Sequence, residues 1–327
     1  MDNHEILDIL REYGIDEFSD KKEIDSTNGD DYRLNVIIDK KYVLRINNAV
    51  MTEERLASIE RLVERYRDIG VLAPRLFKNK EGNYISAHGE HVCYVSEYLD
   101  YPLWEEKENE TDVEIIRKEV LHSIGRLAKR YSNEDLSDVM SMWSIIDLAP
   151  LDVDVDEKQE NLNHLVEKLK GFGENGLAHE IEAFNESARE RIKAIYKDLP
   201  RCVIQGDLNA SNILIEDGHF VGLIDFNMAG TEVNVNHFCC ETTEELPEKD
   251  FAEKDADEIY DTWVKEQQEM LDVILSEYQL NDPEKTAIED YRRICRISMY
   301  HNVMSFIEYL KRDKEKMIKI LKRIILE

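Results

Sequence analysis

Between Gln205 and Asn227 the chain reads QGDLNASNILIEDGHFVGLIDFN, and three of its polar side chains could do chemistry together. Asp207 and Asn212 stand in a D-x-x-x-x-N spacing, and Asp225 follows a second apolar run. Cys202-Val203-Ile204 leads into Gln205-Gly206-Asp207. Ile213-Leu214-Ile215 reads as a strand, Asp217-Gly218 as a tight turn, and Phe220 to Ile224 as the return strand. Antiparallel strands bring Asn212 and Asp225 to the same end, with Asp207 just upstream. Two carboxylates and an amide that converge in this way suit phosphoryl transfer. One carboxylate orients an attacking hydroxyl or amine and accepts its proton. The other, with the amide oxygen, holds Mg²⁺ against nucleotide phosphates. Asp and Asn are also common in plain turns, so the D-x-x-x-x-N spacing alone is a weak signal. The second Asp after a return strand makes the whole string far more specific.

The D-x-x-x-x-N spacing is that of a kinase catalytic loop, and Asp225-Phe226-Asn227 takes the place of the D-F-G tripeptide. The segment resembles the aminoglycoside phosphotransferase and choline kinase superfamily, whose signature is similar to H-G-D-x-x-x-x-N-I-L followed by I-D-[FWY]. The matching residues are Gly206, Asp207, Asn212, Ile213, Leu214, Ile224, Asp225 and Phe226. The resemblance implies a protein-kinase-like fold and ATP-dependent phosphorylation of a small metabolite or antibiotic. It makes Asp207 the catalytic base and Asn212 and Asp225 the Mg²⁺ ligands. Gln205 stands where that family usually has a His that braces the loop. Gln both donates and accepts hydrogen bonds, so activity is compatible with the exchange.

The elements upstream must supply the nucleotide site. Tyr32 to Ile38 and Tyr42 to Ile46 are β-rich runs around the polar turn Asp39-Lys40-Lys41, and they predict an antiparallel hairpin. Leu56, Ile59, Leu62 and Val63 fall on one face of a helix over Thr52 to Arg67, with Thr52 as N-cap. Arg45 takes the position of the phosphate-binding strand cation. Glu60 on the helix is its expected partner, with Glu64 one turn on as the fallback. Ser26-Thr27-Asn28-Gly29-Asp30-Asp31 lies where a phosphate loop belongs, although its single glycine also fits an ordinary turn. His91 to Val95 is a further apolar strand. Val95-Ser96-Glu97-Tyr98-Leu99 resembles the hinge of the superfamily, which implies adenine binding by backbone groups of Glu97 and Leu99.

Beyond Pro102 the pattern changes to long amphipathic helices: Val113 to Tyr131, Glu160 to Lys170, Ala178 to Asp198, and a helical region running to Leu326. The resemblance implies that the acceptor site is built from this region. The candidates are Asn227, Glu232, Asn234, Asn236 and the acidic stretch after Glu241. Trp143 and Trp263 read better as core than as walls for a cation. Asp152, Asp154 and Asp156 fail the EF-hand pattern at its Gly and Glu positions and read as a solvated loop. The basic helix Lys311 to Arg323 reads as packed through Met317, Ile320, Leu321 and Ile324.

With 71 Asp and Glu against 42 Lys and Arg, the formal charge is −29. That field repels nucleic acid and anionic membranes and attracts cationic small molecules. The five cysteines contain no C-x-x-C pair and read as core thiols in a reducing compartment. The first residues lack a basic and apolar leader, and no apolar run spans a bilayer, which predicts a cytoplasmic protein. Taken together, the sequence predicts an α+β, bilobal, protein-kinase-like fold. Residues 1–98 form a small antiparallel β lobe for the nucleotide, and residues 99–327 form a mostly helical lobe. The expected protein is a monomer or homodimer that binds ATP or GTP and Mg²⁺. The expected activity is transfer to a hydroxyl or amine of a small molecule, including cationic, aminoglycoside-like compounds. The second expectation is a pseudokinase-type nucleotide-binding regulator or scaffold without transfer, motivated by Gln205, Arg45 and the glycine-poor loop.

Overall fold

Apolar residues alternate through Arg33–Ile38 (β2) and Tyr42–Asn47 (β3), so Leu34, Val36, Ile38, Leu44 and Ile46 share one face of a sheet, and all are buried. The computed structural model describes residues 2–30, 32–48, 51–107 and 112–326, so Asp31 of the expected phosphate loop lies outside the described residues. Lys21–Asp25 (β1) pairs with β2, which pairs with β3. Leu76–Phe77 (β4) and Ser86–His88 (β5) both pair with His91–Glu97 (β6), whose other edge pairs with β3, and every pairing is antiparallel. Asn3–Glu12 (α1) starts at a capping box made by Asp2 and Glu5. Its buried Ile6, Ile9 and Leu10 join Leu34, Val36, Leu44, Ile46 and Val95 in one core.

Glu53–Asp68 (α2) begins where the sequence places it: Thr52 caps the helix by accepting from the Arg55 amide. Leu56, Ile59, Leu62 and Val63 are buried, as their spacing requires. The catalytic string forms its own hairpin, Ile213–Glu216 (β8) and His219–Leu223 (β9), with Asp217 and Gly218 both at positive φ. That conformation suits a primed two-residue turn.

The chain divides into two compact units, Met1–Ile116 with Asp207–Asn227, and Arg117–Gly206 with Met228–Glu327. The division at residue 98 expected from sequence therefore moves, and the hairpin belongs to the N-terminal unit. Backbone bonds explain why: Leu72 N–H donates to Val221 O at 2.9 Å, Leu223 N–H to Leu72 O at 2.8 Å, and Ile215 N–H to Pro102 O at 3.0 Å. This unit also contains the short helix Trp104–Lys107 (α3) and the first residues of Val113–Tyr131 (α4).

The second unit holds the remainder of α4 and then Glu157–Gly171 (α5) and Asn175–Ile195 (α6). Arg201–Ile204 (β7) pairs with Gly230–Val233 (β10). Asn234–Thr242 (α7), Glu248–Glu253 (α8), Ala256–Glu277 (α9), Asp282–Ser298 (α10), Tyr300–Arg312 (α11) and Lys314–Leu326 (α12) follow. Its core draws on α5, α6, α9, α11 and α12, and Met317, Ile320, Leu321 and Ile324 are buried in it. All five cysteines are buried and none is in a disulfide. Leu151 and Val153 stand exposed, as a solvated loop would have them, but Asp156 does not: it is buried, caps α5 and pairs with Arg189 at 2.6 Å.

A Cβ on Gly222 would stand 2.6 Å from the Leu72 carbonyl oxygen, a backbone atom that cannot swing aside. Gly222→Ala should therefore cost about 1–3 kcal/mol, read as a lower denaturation midpoint. Gly176→Ala, with nothing within 4 Å of the added methyl in α6, should hold or raise the midpoint by up to about 1 kcal/mol.

Candidate active site

Asp207 follows β7 through Gln205 and Gly206, and its carboxylate is held by two side-chain amides. Asn212 Nδ2 donates to Asp207 Oδ2 at 2.8 Å and to the Asp207 carbonyl at 3.0 Å, and Asn209 Nδ2 donates to Oδ1. Asn212 closes a short 3₁₀ turn, Ala210–Asn212, one residue before β8, and its own carbonyl accepts from Ile224 N–H at 2.9 Å. That bond ties the two ends of the hairpin together. Asp225, the next residue, takes a left-handed φ of 53°, a costly conformation for a residue with a side chain. Its Oδ1 accepts from Asn227 N–H at 3.3 Å and faces Arg45 Nη1 at 3.9 Å.

The electrostatics follow from this crowding. Burial pushes the Asp207 carboxyl above the ordinary range, the Asn212 hydrogen bond pulls it back, and the charge of Asp225 pushes it up again. Arg45 lies mostly buried on β3, opposite Tyr94 on β6. It lines a small cavity with Leu56, Ile59, Tyr94, Ser96 and Asp225. Because Asn212 gives its amide hydrogens to Asp207, its Oδ1 is left as an acceptor. Asn212 and Asp225 thus present hard oxygen donors, the type that Mg²⁺ takes. Among the described residues no group of three His, Cys, Asp or Glu side chains is placed to hold a metal.

Several expected contacts form differently. Glu60 does not pair with Arg45. Its Oε2 accepts from Leu76 N–H at 2.6 Å, and burial raises its carboxyl pKa while that bond lowers it. Arg45 turns instead to Asp225 and Tyr94, because the β3–β6 register sets Arg45 directly across from Tyr94. Glu64, the fallback, also makes no ion pair with Arg45. It acts on Glu60 as a like charge. At the expected adenine segment, Glu97 N–H donates to Arg75 O at 2.8 Å and its carboxylate accepts from Arg67 at 2.9 Å. The Leu99 carbonyl accepts from Tyr101 N–H, and the Leu99 N–H has no partner among the described residues. Ser26, Thr27, Asn28 and Gly29 form a turn between β1 and β2. Thr27 N–H donates to Asp25, Thr27 Oγ1 accepts from Arg33 N–H, and Gly29 takes a φ of 59°.

The acceptor candidates divide sharply. Asn227 is exposed, but Glu232, Asn234 and Asn236 are interior residues of the second unit, all below 3 % exposure. Asn234 donates to Ser132 Oγ and Tyr278 Oη, and Asn236 donates to the Trp143 carbonyl. They are struts of the β10–α7 junction and not a ligand-facing rim. Trp263 is core, as expected, and Trp143 is partly buried. Sequence reasoning passed over Asn209, Tyr94 and Arg55, whose guanidinium donates to the Asn227 carbonyl at 2.8 Å. Asn209 was visible two residues after Asp207; Tyr94 and Arg55 depend on strand register and helix docking.

The model of the family described as the phosphotransferase enzyme family (APH) matches residues 26–232. The chain belongs to that family. No curated protein matches it in sequence. Among solved structures it is similar to spectinomycin phosphotransferase APH(9)-Ia in complex with ADP and spectinomycin, at 13% identity. The alignment covers 99% of this chain and 98% of that one, with a TM-score of 0.54. It is also similar to the amicoumacin kinase hAmiN in complex with AMP-PNP, Ca²⁺ and Ami, at 11% identity, 99% and 93% coverage and a TM-score of 0.53. These likenesses establish the fold expected from sequence, an antiparallel β sheet followed by a helical region. No helix among the described residues is long and apolar enough to cross a membrane.

The role of Glu60 can be separated from that of a cation partner. A carboxyl whose pKa is raised on folding penalises the fold once it ionises, so its cost grows as pH rises through the carboxylate range. Glu60→Gln keeps an oxygen for Leu76 N–H and removes that cost. The variant should match or exceed the parent in midpoint at pH 7, lose its advantage below about pH 4, and bind MgATP as the parent does.

Proposed function

We propose that the protein is an ATP- and Mg²⁺-dependent phosphotransferase acting on a hydroxyl or amine of a small molecule. The observation that carries this reading is the Asp207–Asn212 pair, fixed by hydrogen bonds at 2.8 and 3.0 Å, beside the Asp225 carboxylate. Membership of a phosphotransferase family supports it. So do the nucleotide ligands, ADP and AMP-PNP, of the similar structures.

In this reading Asp207 orients the acceptor group and takes its proton. Its raised pKa makes it a better base than an exposed aspartate, and the amides of Asn209 and Asn212 aim it. Asn212 Oδ1 and the Asp225 carboxylate would hold Mg²⁺, which would supply positive charge against the transferring phosphoryl group. Arg45, beside Asp225 and Tyr94, contributes a permanent positive charge for phosphate oxygens. Ser26, Thr27, Asn28 and Gly29 supply backbone and hydroxyl donors for phosphates, and Glu97 and Leu99 supply backbone groups for adenine. Among these, the Leu99 N–H is available as a donor. The acceptor class we favour is cationic, because the formal charge of −29 raises the local concentration of cations, and because spectinomycin and amicoumacin kinases share the fold.

Two observations favour the alternative of a nucleotide-binding scaffold without transfer. Arg45 lacks its helix glutamate and Gln205 replaces the customary His. The two readings separate on purified protein with MgATP and a panel of aminoglycosides, spectinomycin, choline, homoserine and sugars. Transfer should appear with at least one acceptor, and Asp207→Asn should lower kcat by about 10²–10⁴-fold while MgATP still raises the melting temperature. Stabilisation by MgATP without turnover across the panel would favour the scaffold.

The pH profile gives an independent check. The active form is the ionised Asp207, so activity falls as pH drops through its pKa. That pKa is raised, so the acidic limb of kcat/KM should lie above 3.8, the ordinary aspartate value. An acidic limb at or below that value would remove Asp207 as the base.

A further inference from the structure

Lys158 is 1 % exposed, the most deeply buried lysine in the chain, and a buried ammonium is costly unless it is engaged. It engages Trp143 and, through a side-chain hydrogen bond, Cys240. Its Nζ donates to the Trp143 carbonyl at 2.8 Å and lies 5.7 Å from the centre of the indole. Asn236, fully buried, donates to the same carbonyl at 2.7 Å. Trp143 N–H donates to the Oγ of Ser141, also fully buried, at 3.0 Å. The charge of Glu232, 1 % exposed, acts on Lys158 from the interior. Every polar group of Trp143 is thus satisfied, and the last of them points at the catalytic string: indole Nε1–H donates to the Gly206 carbonyl at 2.9 Å.

Gly206 is the residue covalently joined to Asp207. Its φ of 86° is left-handed, and a Cβ there would stand 2.5 Å from the Met228 carbonyl oxygen. The Gly206 peptide is therefore clamped on one side by backbone and on the other by the indole. The buried bonds around Trp143 resist displacement, because moving the residue strands desolvated donors and acceptors.

We propose that Trp143, held in place by Lys158, Asn236 and Ser141, is a positioning residue that fixes the Gly206–Asp207 peptide and thereby aims the base. The bracing is legible in geometry alone; its kinetic consequence rests on the phosphotransferase reading above. Trp143 touches neither phosphate nor acceptor in this scheme, so its loss acts on kcat and not on nucleotide binding.

The test replaces Trp143 with Phe and, in a second protein, with β-(3-benzothienyl)alanine, which keeps the shape of the indole and lacks only its N–H. Amide hydrogen exchange is followed for the peptide covering residues 204–212, together with melting temperature and ADP release from MgATP with the acceptor panel above. Both variants should melt within a few degrees of the parent yet exchange at least about tenfold faster at Asp207 and its neighbours. They should show kcat about 10- to 100-fold lower with KM for MgATP within about twofold. Unchanged exchange in the benzothienyl protein would overturn the brace even if the Phe variant failed to fold. Equal falls in kcat and in nucleotide affinity would also overturn it. If the parent releases no ADP, the phosphotransferase reading fails, while the exchange comparison still decides the brace.

Discussion

The hydrogen bond from Ile224 N–H to the Asn212 carbonyl is the constraint on which the site depends. It joins the residue just before β8 to the residue just after β9, so the two proposed metal-binding side chains cannot drift apart. The Asn212 side chain extends the same tie to Asp207. One short stretch of chain thereby fixes three functional groups with bonds made almost wholly within itself. The cost appears at Asp225, whose left-handed backbone is tolerated because the hairpin on one side and the Asn227 amide on the other determine it.

The hairpin is too small to be stable alone. It is held by Leu72, which exchanges backbone hydrogen bonds with Val221 and Leu223, and by the Pro102 carbonyl, which accepts from Ile215. The glycine at 222 lets the Leu72 backbone approach this closely. Through these contacts the catalytic string becomes part of the same compact unit as the sheet that carries Arg45. The Arg45–Asp225 approach of 3.9 Å is a consequence of that docking.

Charge has two different roles in the molecule. The large acidic excess acts at long range and is spread over the surface, where salt screens it. The titrations that matter are local. Asp207 is raised by burial and by Asp225, while Glu60 is raised by burial alone in the main and is held by a backbone amide. A carboxylate that satisfies a strand amide is a structural group, and this separates Glu60 from the pairing with Arg45 that its place on α2 first suggests.

The sequence by itself determined the hairpin, its Asp-Gly turn, the capped helix at Thr52 and the trio of Asp207, Asn212 and Asp225. Each of these rests on interactions between residues close in the chain, where spacing and turn chemistry leave few alternatives. It could not determine which carboxylate meets Arg45, that Asn234 and Asn236 turn into the interior, or that Trp143 reaches the Gly206 carbonyl. Those contacts join residues far apart in sequence. They are decided by strand register and by how buried donors find acceptors during packing, and a side-chain type alone carries no record of its distant partner.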